Sequence, residues 1–234
     1  MSDAAIELNS LHFSVRGQTL IDGLNLSIPS AGVTAIMGPN GAGKSLTLRI
    51  IAGLIKPSSG DIRFAGTMPE PKDLAIVFQR PVLLRRTVRG NLMHTLKVLQ
   101  KTKDRASKLK RLLVLGGLEH LADRPARRLS GGEQQRLATV RALAGAPRFL
   151  LMDEPTASLD PRATRDVEAL ISDAARAGTK VVIVTHDRGQ AARLADDIAL
   201  MHDGRLAEHR PAKEFLSDPR SVEGSAYLTG DLLI

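Results

Sequence analysis

The chain has 234 residues, of which 43% are hydrophobic and 25% charged, with no cysteine, five Phe, one Tyr and a net charge of +8. This balance predicts a globular protein with one large domain and excludes collagen-like, low-complexity and disordered classes. Disulfides and thiolate chemistry are excluded, rings are too few to stack single-stranded nucleic acid, and no apolar run approaches the ~18 residues of a membrane span.

The first third of the chain predicts short strands separated by turn residues. The segment Met1–Glu7 lacks the basic and apolar regions of a secretory signal, so we expect a cytoplasmic protein. A helix is predicted from near Lys44 to about Ala52. The strand candidates are Ile6–Phe13, Leu24–Ile28, Val33–Met37, Ile62–Phe64 and Leu74–Phe78.

The middle of the chain changes to a helical pattern. Apolar residues recur at helical spacing between about Thr87 and Gly145. Strand character then returns, with helices at about residues 162–177 and 188–194. The later strand candidates are Phe149–Met152, Val181–Val184, Ile198–Met201 and Leu206–Glu208. These patterns predict an α/β core, about 1–79 and 147–234, interrupted by a helical subdomain of about 80–146.

Positive charge is concentrated between Arg80 and Arg111. Eleven basic residues in this segment face one acidic residue, Asp104. A solvated helical face is the first interpretation, and a surface near anionic lipid headgroups or nucleic acid is the alternative.

A glycine-rich motif of the form G-x-x-x-x-G-K-[ST] follows the third strand and opens the first helix. Its residues are Gly38, Pro39, Asn40, Gly41, Ala42, Gly43, Lys44 and Ser45. The glycines let backbone N–H groups curl around phosphate oxygens at a helix N-terminus. Lys44 is expected to reach the β- and γ-phosphates and the Ser45 hydroxyl to bind Mg²⁺.

An apolar strand that ends in two carboxylates follows the helical region, at Phe149–Glu154. We expect Asp153 to hold the Mg²⁺ shell beside the phosphate loop. Glu154, one residue later, is the candidate base that polarises an attacking water.

The octet Leu129–Arg136 contains Ser130, Gly131, Gly132 and Gln134. Ser130 is a candidate cap for the following helix, and the glycines make a second anion-binding helix N-terminus. One nucleotide cannot easily use two such loops of one chain, so we expect the Ser130 loop to bind the nucleotide of a second subunit.

With these motifs in this order, the chain resembles the ATP-binding cassette (ABC) family from about Ile6 to Phe215. The resemblance implies a P-loop NTPase core with a mixed, largely parallel sheet, an antiparallel β subdomain and an inserted all-α subdomain. It also implies an ATP hydrolase that uses ATP and Mg²⁺ as a homodimer of cassettes. By resemblance, Gln79 is the Mg²⁺ and water sensor, Asp160 belongs to the loop that crosses the dimer interface, and His186 contacts the γ-phosphate.

Two positions depart from the family pattern. The family places an aromatic residue before the first glycine turn to stack on adenine, and here Val15 occupies that place. Phe13, two residues earlier, or a residue of the partner chain is the alternative ring. Leu46 follows Ser45 where many members have Thr. The hydroxyl group expected to bind Mg²⁺ is retained, because Ser45 supplies it.

One cassette without a membrane span is the arrangement of ABC importers, whose permease subunits are separate integral membrane chains served by a solute-binding protein. We therefore expect a peripheral protein on the cytoplasmic face of the plasma membrane. The short tail after Gly204 implies no regulatory C-terminal domain. The segment Phe78–Val88 and the ending Leu232–Ile234 resemble oxyanion importers of the tungstate type. Phosphate or polar amino-acid import, an exporter subunit and a soluble non-transport ABC ATPase remain alternatives, and a phosphate-loop kinase would leave the Ser130 octet without a purpose.

Overall fold

The computed structural model describes residues 4–66, 68–99 and 104–230. The chain divides into two compact units, Met1–Met68 with Lys180–Ile234, and Pro69–Thr179. The ending Leu232–Ile234, on which part of the importer resemblance depends, lies outside the described residues, as do Lys101 and Lys103 of the basic segment.

Nine strands and eight α-helices are found in the described part of the chain. The strands are β1 (Ala4–Val15), β2 (Gln18–Pro29), β3 (Val33–Met37), β4 (Ser59–Phe64), β5 (Leu74–Val77), β6 (Phe149–Asp153), β7 (Lys180–Val184), β8 (Asp197–His202) and β9 (Arg205–Pro211). The helices are α1 (Lys44–Ile51), α2 (Val88–Leu99), α3 (Arg105–Gly116), α4 (Gly131–Leu143), α5 (Pro161–Arg176), α6 (Arg188–Leu194), α7 (Ala212–Ser217) and α8 (Val222–Thr229). Each strand and helix that the sequence predicts is present, with boundaries that move by a few residues.

The first unit contains two sheets. An antiparallel sheet has the order β2-β1-β4, and inward residues of β1 such as Ile6, Leu8 and Leu11 are almost completely buried. The second sheet has the order β7-β3-β8-β9, in which only β9 is antiparallel. All five residues of β3 and of β7 are buried, which explains why both strands are continuous apolar runs rather than alternating ones.

The second unit combines β5 and β6, which are parallel with Val77 opposite Met152, with helices α2 to α5. An apolar core of buried leucines, valines and alanines joins α2, α3 and α4 and includes Leu170 of α5. The helical spacing between Thr87 and Gly145 therefore reports a real helical cluster, because those apolar residues are the ones that pack against each other.

The helices α7 and α8 were not predicted from the sequence. Both are short, and helices of one or two turns carry too few residues to show a clear apolar period. Ser221 caps α8 by accepting a hydrogen bond from the Gly224 N–H at 2.9 Å, and Glu208 of β9 accepts from the Ser221 N–H and hydroxyl. In the parts of the chain that the structure describes, no helix is both long enough and apolar enough to cross a membrane.

Candidate functional site

The glycine-rich loop connects β3 to α1 in the first unit and is pressed between neighbouring backbones. Gly38 has a φ of +140°, and a Cβ atom there would lie 2.0 Å from the Met201 carbonyl oxygen. Gly43 has a φ of +93°, and its Cβ would lie 3.0 Å from the carbonyl oxygen of Leu20. Side chains at these two positions would strain or displace the loop, so glycine is needed for its shape.

Lys44 lies inside this loop. It is only 6% exposed, and its ammonium group donates to the carbonyl oxygens of Gly38 at 2.9 Å and Pro39 at 2.8 Å. No side chain caps α1, and its first turn contains no acidic residue. A buried cation at an uncapped helix N-terminus is an arrangement that fits phosphate oxygens.

His186 lies at the same edge of the first unit's mixed sheet as the phosphate loop. In the parallel pair β3 and β7, Ile36 is opposite Val184, and the Thr185 N–H donates to the Ile36 carbonyl at 3.2 Å. The loop after β3 and the loop after β7 therefore both leave from the carboxyl ends of adjacent strands. His186 is exposed, and the next residue, Asp187, caps α6.

Two residues beside His186 were missed by the sequence analysis. The Tyr227 hydroxyl of α8 donates to the His186 carbonyl oxygen at 3.4 Å. Arg188 donates to the Leu228 carbonyl, and its guanidinium lies 5.9 Å from the centre of the Tyr227 ring. The tail helix is thus attached to the His186 loop. The solitary tyrosine of the chain was the one sequence feature that pointed to this segment.

The second unit brings Gln79 and Glu154 together although 75 positions separate them. Gln79 follows β5 and Glu154 follows the adjacent parallel strand β6, and the Gln79 amide donates to the Glu154 carboxylate at 3.1 Å. Asp153, the last residue of β6, is 5% exposed. Glu154 has a φ of +44°, a backbone conformation that is uncommon for non-glycine residues and that is enriched at functional sites.

The Ser130 loop begins α4 with a reciprocal capping box. The Glu133 carboxylate accepts from the Ser130 N–H at 2.7 Å, and the Ser130 hydroxyl accepts from the Glu133 N–H at 3.4 Å. The hydrogen bond from the Ser130 backbone holds the pKa of Glu133 below its usual value. The Gln134 side chain donates to the Leu129 carbonyl at 2.9 Å. The predicted Ser130 cap is therefore confirmed.

The Ser130 loop lies beside the loop that precedes α5, both within the second unit. A Cβ on Gly132 would lie 2.5 Å from the Ala163 Cβ, so glycine lets the two helices approach. Asp160 accepts from the N–H groups of Arg162 and Ala163, and the bond from Ala163 is the main reason that its pKa is lowered. These loops line a cavity of about 650 Å³.

The predicted adenine position, Val15, is the last residue of β1 and is 44% exposed. Phe13 is partly buried and pairs with Ile21 of β2. The choice between these two residues as the contact for adenine stays a prediction.

The apolar run after Gln79, at residues 81–84, is only partly exposed. Val82 is 66% exposed, but Leu83 packs against the helical core. The buried Asn91 holds the next turn, since its side chain accepts from the Leu84 N–H and donates to the Thr87 carbonyl. The surface that this run offers to a partner is therefore centred on Val82.

Residues 21–157 match the family model described as ABC transporter. The tungstate uptake system ATP-binding protein of Peptoclostridium acidaminophilum is 39% identical over 87% of this chain and 97% of that protein. A phosphate import ATP-binding protein of Natronomonas pharaonis is 34% identical over 93% and 84%. The structure of cbiO1 from Clostridium perfringens, part of an ABC transporter complex, is 29% identical with a TM-score of 0.83 and covers 92% of both chains.

This chain belongs to the ABC transporter family. Its fold is that of the ABC ATPases, as the motifs predict, and it is an ATP hydrolase. The family match also confirms the expectation of a nucleotide-binding protein.

The residues expected at Mg²⁺ suit that ion chemically. Ser45 supplies a hydroxyl oxygen, Asp153 a carboxylate and Gln79 an amide carbonyl oxygen, and Mg²⁺ binds oxygen ligands of these kinds.

Proposed function

We propose that this ABC ATPase powers an importer of an oxyanion, with tungstate as the first substrate to test, on the cytoplasmic face of the membrane. The tungstate uptake relative, which matches over nearly its whole length, is the observation that supports this choice. The phosphate import relative at 34% identity makes phosphate the second candidate.

We assign nucleotide binding mainly to the first unit. Lys44 would exchange its hydrogen bonds to the Gly38 and Pro39 carbonyl oxygens for the β- and γ-phosphate oxygens of ATP. The exchange is favourable because an ammonium group donates more strongly to a charged phosphate oxygen than to a neutral carbonyl oxygen. Backbone N–H groups of residues 38 and 40–46 would hold the remaining oxygens. His186, at the same sheet edge, would contact the γ-phosphate.

The hydrolytic step we assign to carboxylates and an amide of the second unit. Asp153 and Gln79 would hold Mg²⁺, which when bound neutralises charge on the phosphates. Glu154 would accept a proton from the attacking water. The hydrogen bond from Gln79 fixes the direction of the Glu154 carboxylate, so Gln79 is in a position to change that orientation when nucleotide binds.

Hydrolysis in this proposal needs two cassettes. The Ser130 loop, with Gly131, Gly132 and Gln134, would bind the γ-phosphate of the partner's nucleotide, and Asp160 lies on the neighbouring loop. The cavity between these loops within the second unit supports this assignment, as does the exposure of Ser130.

The permease would dock at Val82. An exposed valine directly after the Gln79 segment gives a membrane subunit a contact that is linked to nucleotide state. Val82→Asp should reduce transport while basal ATP hydrolysis persists. Leu83→Asp is the contrasting variant and should lower both activities, because Leu83 packs on the helical core. Equal loss of both activities in Val82→Asp would contradict the docking assignment.

The substrate is tested with the assembled transporter, reconstituted with its permease and solute-binding protein. Tungstate, molybdate, sulfate, phosphate and a polar amino acid are compared for stimulation of ATP hydrolysis. Stimulation by tungstate at the lowest concentration supports the proposal. A response to an amino acid alone, or to no oxyanion, would refute the substrate assignment while leaving the ATPase assignment intact.

A further inference from the structure

Three arginine side chains of the second unit line one pocket away from the Gln79 and Ser130 sites. The pocket has a volume of about 630 Å³, and its lining residues are Arg85, Arg86, Thr87, Pro125 and Arg127. All three arginines are exposed, and none forms an ion pair within the described residues.

The sequence segment that contributes Arg85 and Arg86 to this pocket contains no acidic residue. No Asp or Glu lies between Asp73 and Asp104 in the sequence. Asp123, close to the other wall, is already bound by Arg89 through two hydrogen bonds of 2.9 and 3.2 Å. In the part of the chain that the structure describes, none of the three guanidinium groups has an ion-pair partner, so a bound anion would neutralise charge that the protein leaves exposed.

Backbone pairing holds the two walls of the pocket in place. Thr87 and Pro125 form an isolated antiparallel bridge. The Ala126 N–H donates to the Arg86 carbonyl at 2.9 Å, and the Val88 N–H donates to the Arg124 carbonyl at 3.1 Å. The arginines thus project from paired segments rather than from a free loop, so the backbone positions from which they extend are set before any ligand binds.

Thr87 adds a hydroxyl group to the same pocket. Its oxygen accepts from the Gly90 N–H at 3.1 Å at the start of α2, which leaves the hydroxyl hydrogen for another acceptor. The first turn of α2 contains no acidic residue, so the positive end of this helix adds to the potential of the arginines.

We propose that this arginine pocket binds a phosphate group, either as free inorganic phosphate or as the headgroup phosphate of an anionic lipid. The planar guanidinium fork matches two phosphate oxygens at once. The lining contains no large apolar side chain, whereas a partner helix needs apolar anchors. A small anion therefore suits the pocket better than a peptide. This inference does not depend on the transported substrate.

The test compares the wild-type chain with the variant R85Q/R86Q/R127Q. The matched control K110Q/R111Q/K213Q removes the same charge from exposed residues elsewhere. Both nucleotide sites are filled with a nonhydrolysable ATP analogue, so that phosphate cannot bind there. One arm measures binding of inorganic phosphate at constant ionic strength. The other measures cosedimentation with vesicles of phosphatidylcholine containing about one third phosphatidylglycerol.

We expect the arginine variant to bind at least about tenfold more weakly than wild type in one arm or both, whereas the control stays close to wild type. R85K/R86K/R127K should lie between them, because lysine keeps the charge but loses the fork. Binding of phosphate identifies a free-ion site, and binding of vesicles alone identifies a lipid headgroup.

Two results would overturn the proposal. The first is that wild type binds neither inorganic phosphate nor the vesicles. If the arginine variant in that case loses only its binding to the permease, the pocket is a protein contact. The second is that the arginine variant and the control lose binding equally, since net charge alone would then explain it. Unchanged ATP hydrolysis and melting temperature in the arginine variant show that its fold is intact.

Discussion

The Lys44 loop and the Ser130 loop are both glycine-rich starts of helices, but they treat their helix ends differently. At α1, no side chain caps the helix, and a buried lysine occupies the loop. At α4, Ser130 and Glu133 satisfy each other's backbone N–H groups. The first helix start therefore leaves its backbone N–H groups without a side-chain cap, whereas the second is capped by its own residues. In our proposal the first loop binds the phosphates, and the second offers its hydroxyl and glycines to the partner's nucleotide.

Two glycine-rich helix starts of one chain therefore differ in how many backbone donors they leave for a phosphate group. A capping box satisfies two of the donors that an anion would otherwise use. The Ser130 loop should therefore hold its shape as a single chain and bind nucleotide only when another cassette presents it.

Glu154→Gln separates binding from chemistry. We expect ATP binding at the Lys44 loop to persist while hydrolysis falls about 10²–10⁴-fold, because a positioned general base contributes that much. The variant should accumulate as an ATP-bound dimer, visible by size-exclusion chromatography, since the nucleotides between the two loops are not consumed. Hydrolysis near the wild-type rate would show that Glu154 is not the base.

Lys44→Ala and Ser130→Ala test the comparison directly. Lys44→Ala should weaken ATP binding by the single chain about 10–100-fold, since a hydrogen bond to a charged group contributes about 1.5–3 kcal/mol. Ser130→Ala should leave that affinity unchanged and lower hydrolysis by the dimer. It should also destabilise α4 by about 1 kcal/mol through loss of the cap.

Asp104→Ala is the matched control for Ser130→Ala, because Asp104 caps α3 by accepting from the Ser107 N–H. It should cost similar stability and leave hydrolysis unaffected. If Ser130→Ala weakens ATP binding by the single chain as much as Lys44→Ala does, the division of roles between the two loops is wrong.

Val15→Tyr and Phe13→Ala sharpen the description of the Lys44 side of the site. An aromatic ring on adenine contributes about 1–3 kcal/mol, so Val15→Tyr should lower the KM for ATP about tenfold. Phe13→Ala should leave KM nearly unchanged in a folded protein. Wild type should discriminate weakly between ATP and GTP, since the triphosphate is common to both. A large rise in KM for Phe13→Ala, without a gain from Val15→Tyr, would identify Phe13 as the stacking ring.

Acid should weaken the capping box of the Ser130 loop. The pKa of Glu133 is lowered from 4.5 by the hydrogen bond from the Ser130 backbone, so the folded state binds fewer protons than the unfolded state near that pH. The stabilisation is present above pH 4.5 and is lost as the pH falls through the folded pKa. Urea unfolding across this range should show a smaller decline for Glu133→Gln than for wild type. An equal decline of the unfolding free energy in both proteins would show that Glu133 is not the group responsible. Glu119→Gln is the control for loss of one negative charge.

The sequence by itself determined the identity of the motifs and the kinds of elements that carry them. The phosphate loop, the Ser130 cap and the buried strand that ends in Asp153 each depend on residues within about ten positions of one another, and local rules for turns, caps and periodicity describe such spans well. The ABC fold was expected because these motifs, in this order, resemble those of the ABC family.

Contacts between residues that are distant in the chain depend on the tertiary structure. The Gln79–Glu154 hydrogen bond depends on β5 and β6 pairing in parallel, and the burial of Leu83 depends on how the helices pack. The arginine pocket depends on the bridge between Thr87 and Pro125, and no periodicity within either segment indicates it. Contacts of this kind arise from the packing of elements that are far apart in the chain, and a single sequence contains no local pattern from which that packing can be inferred.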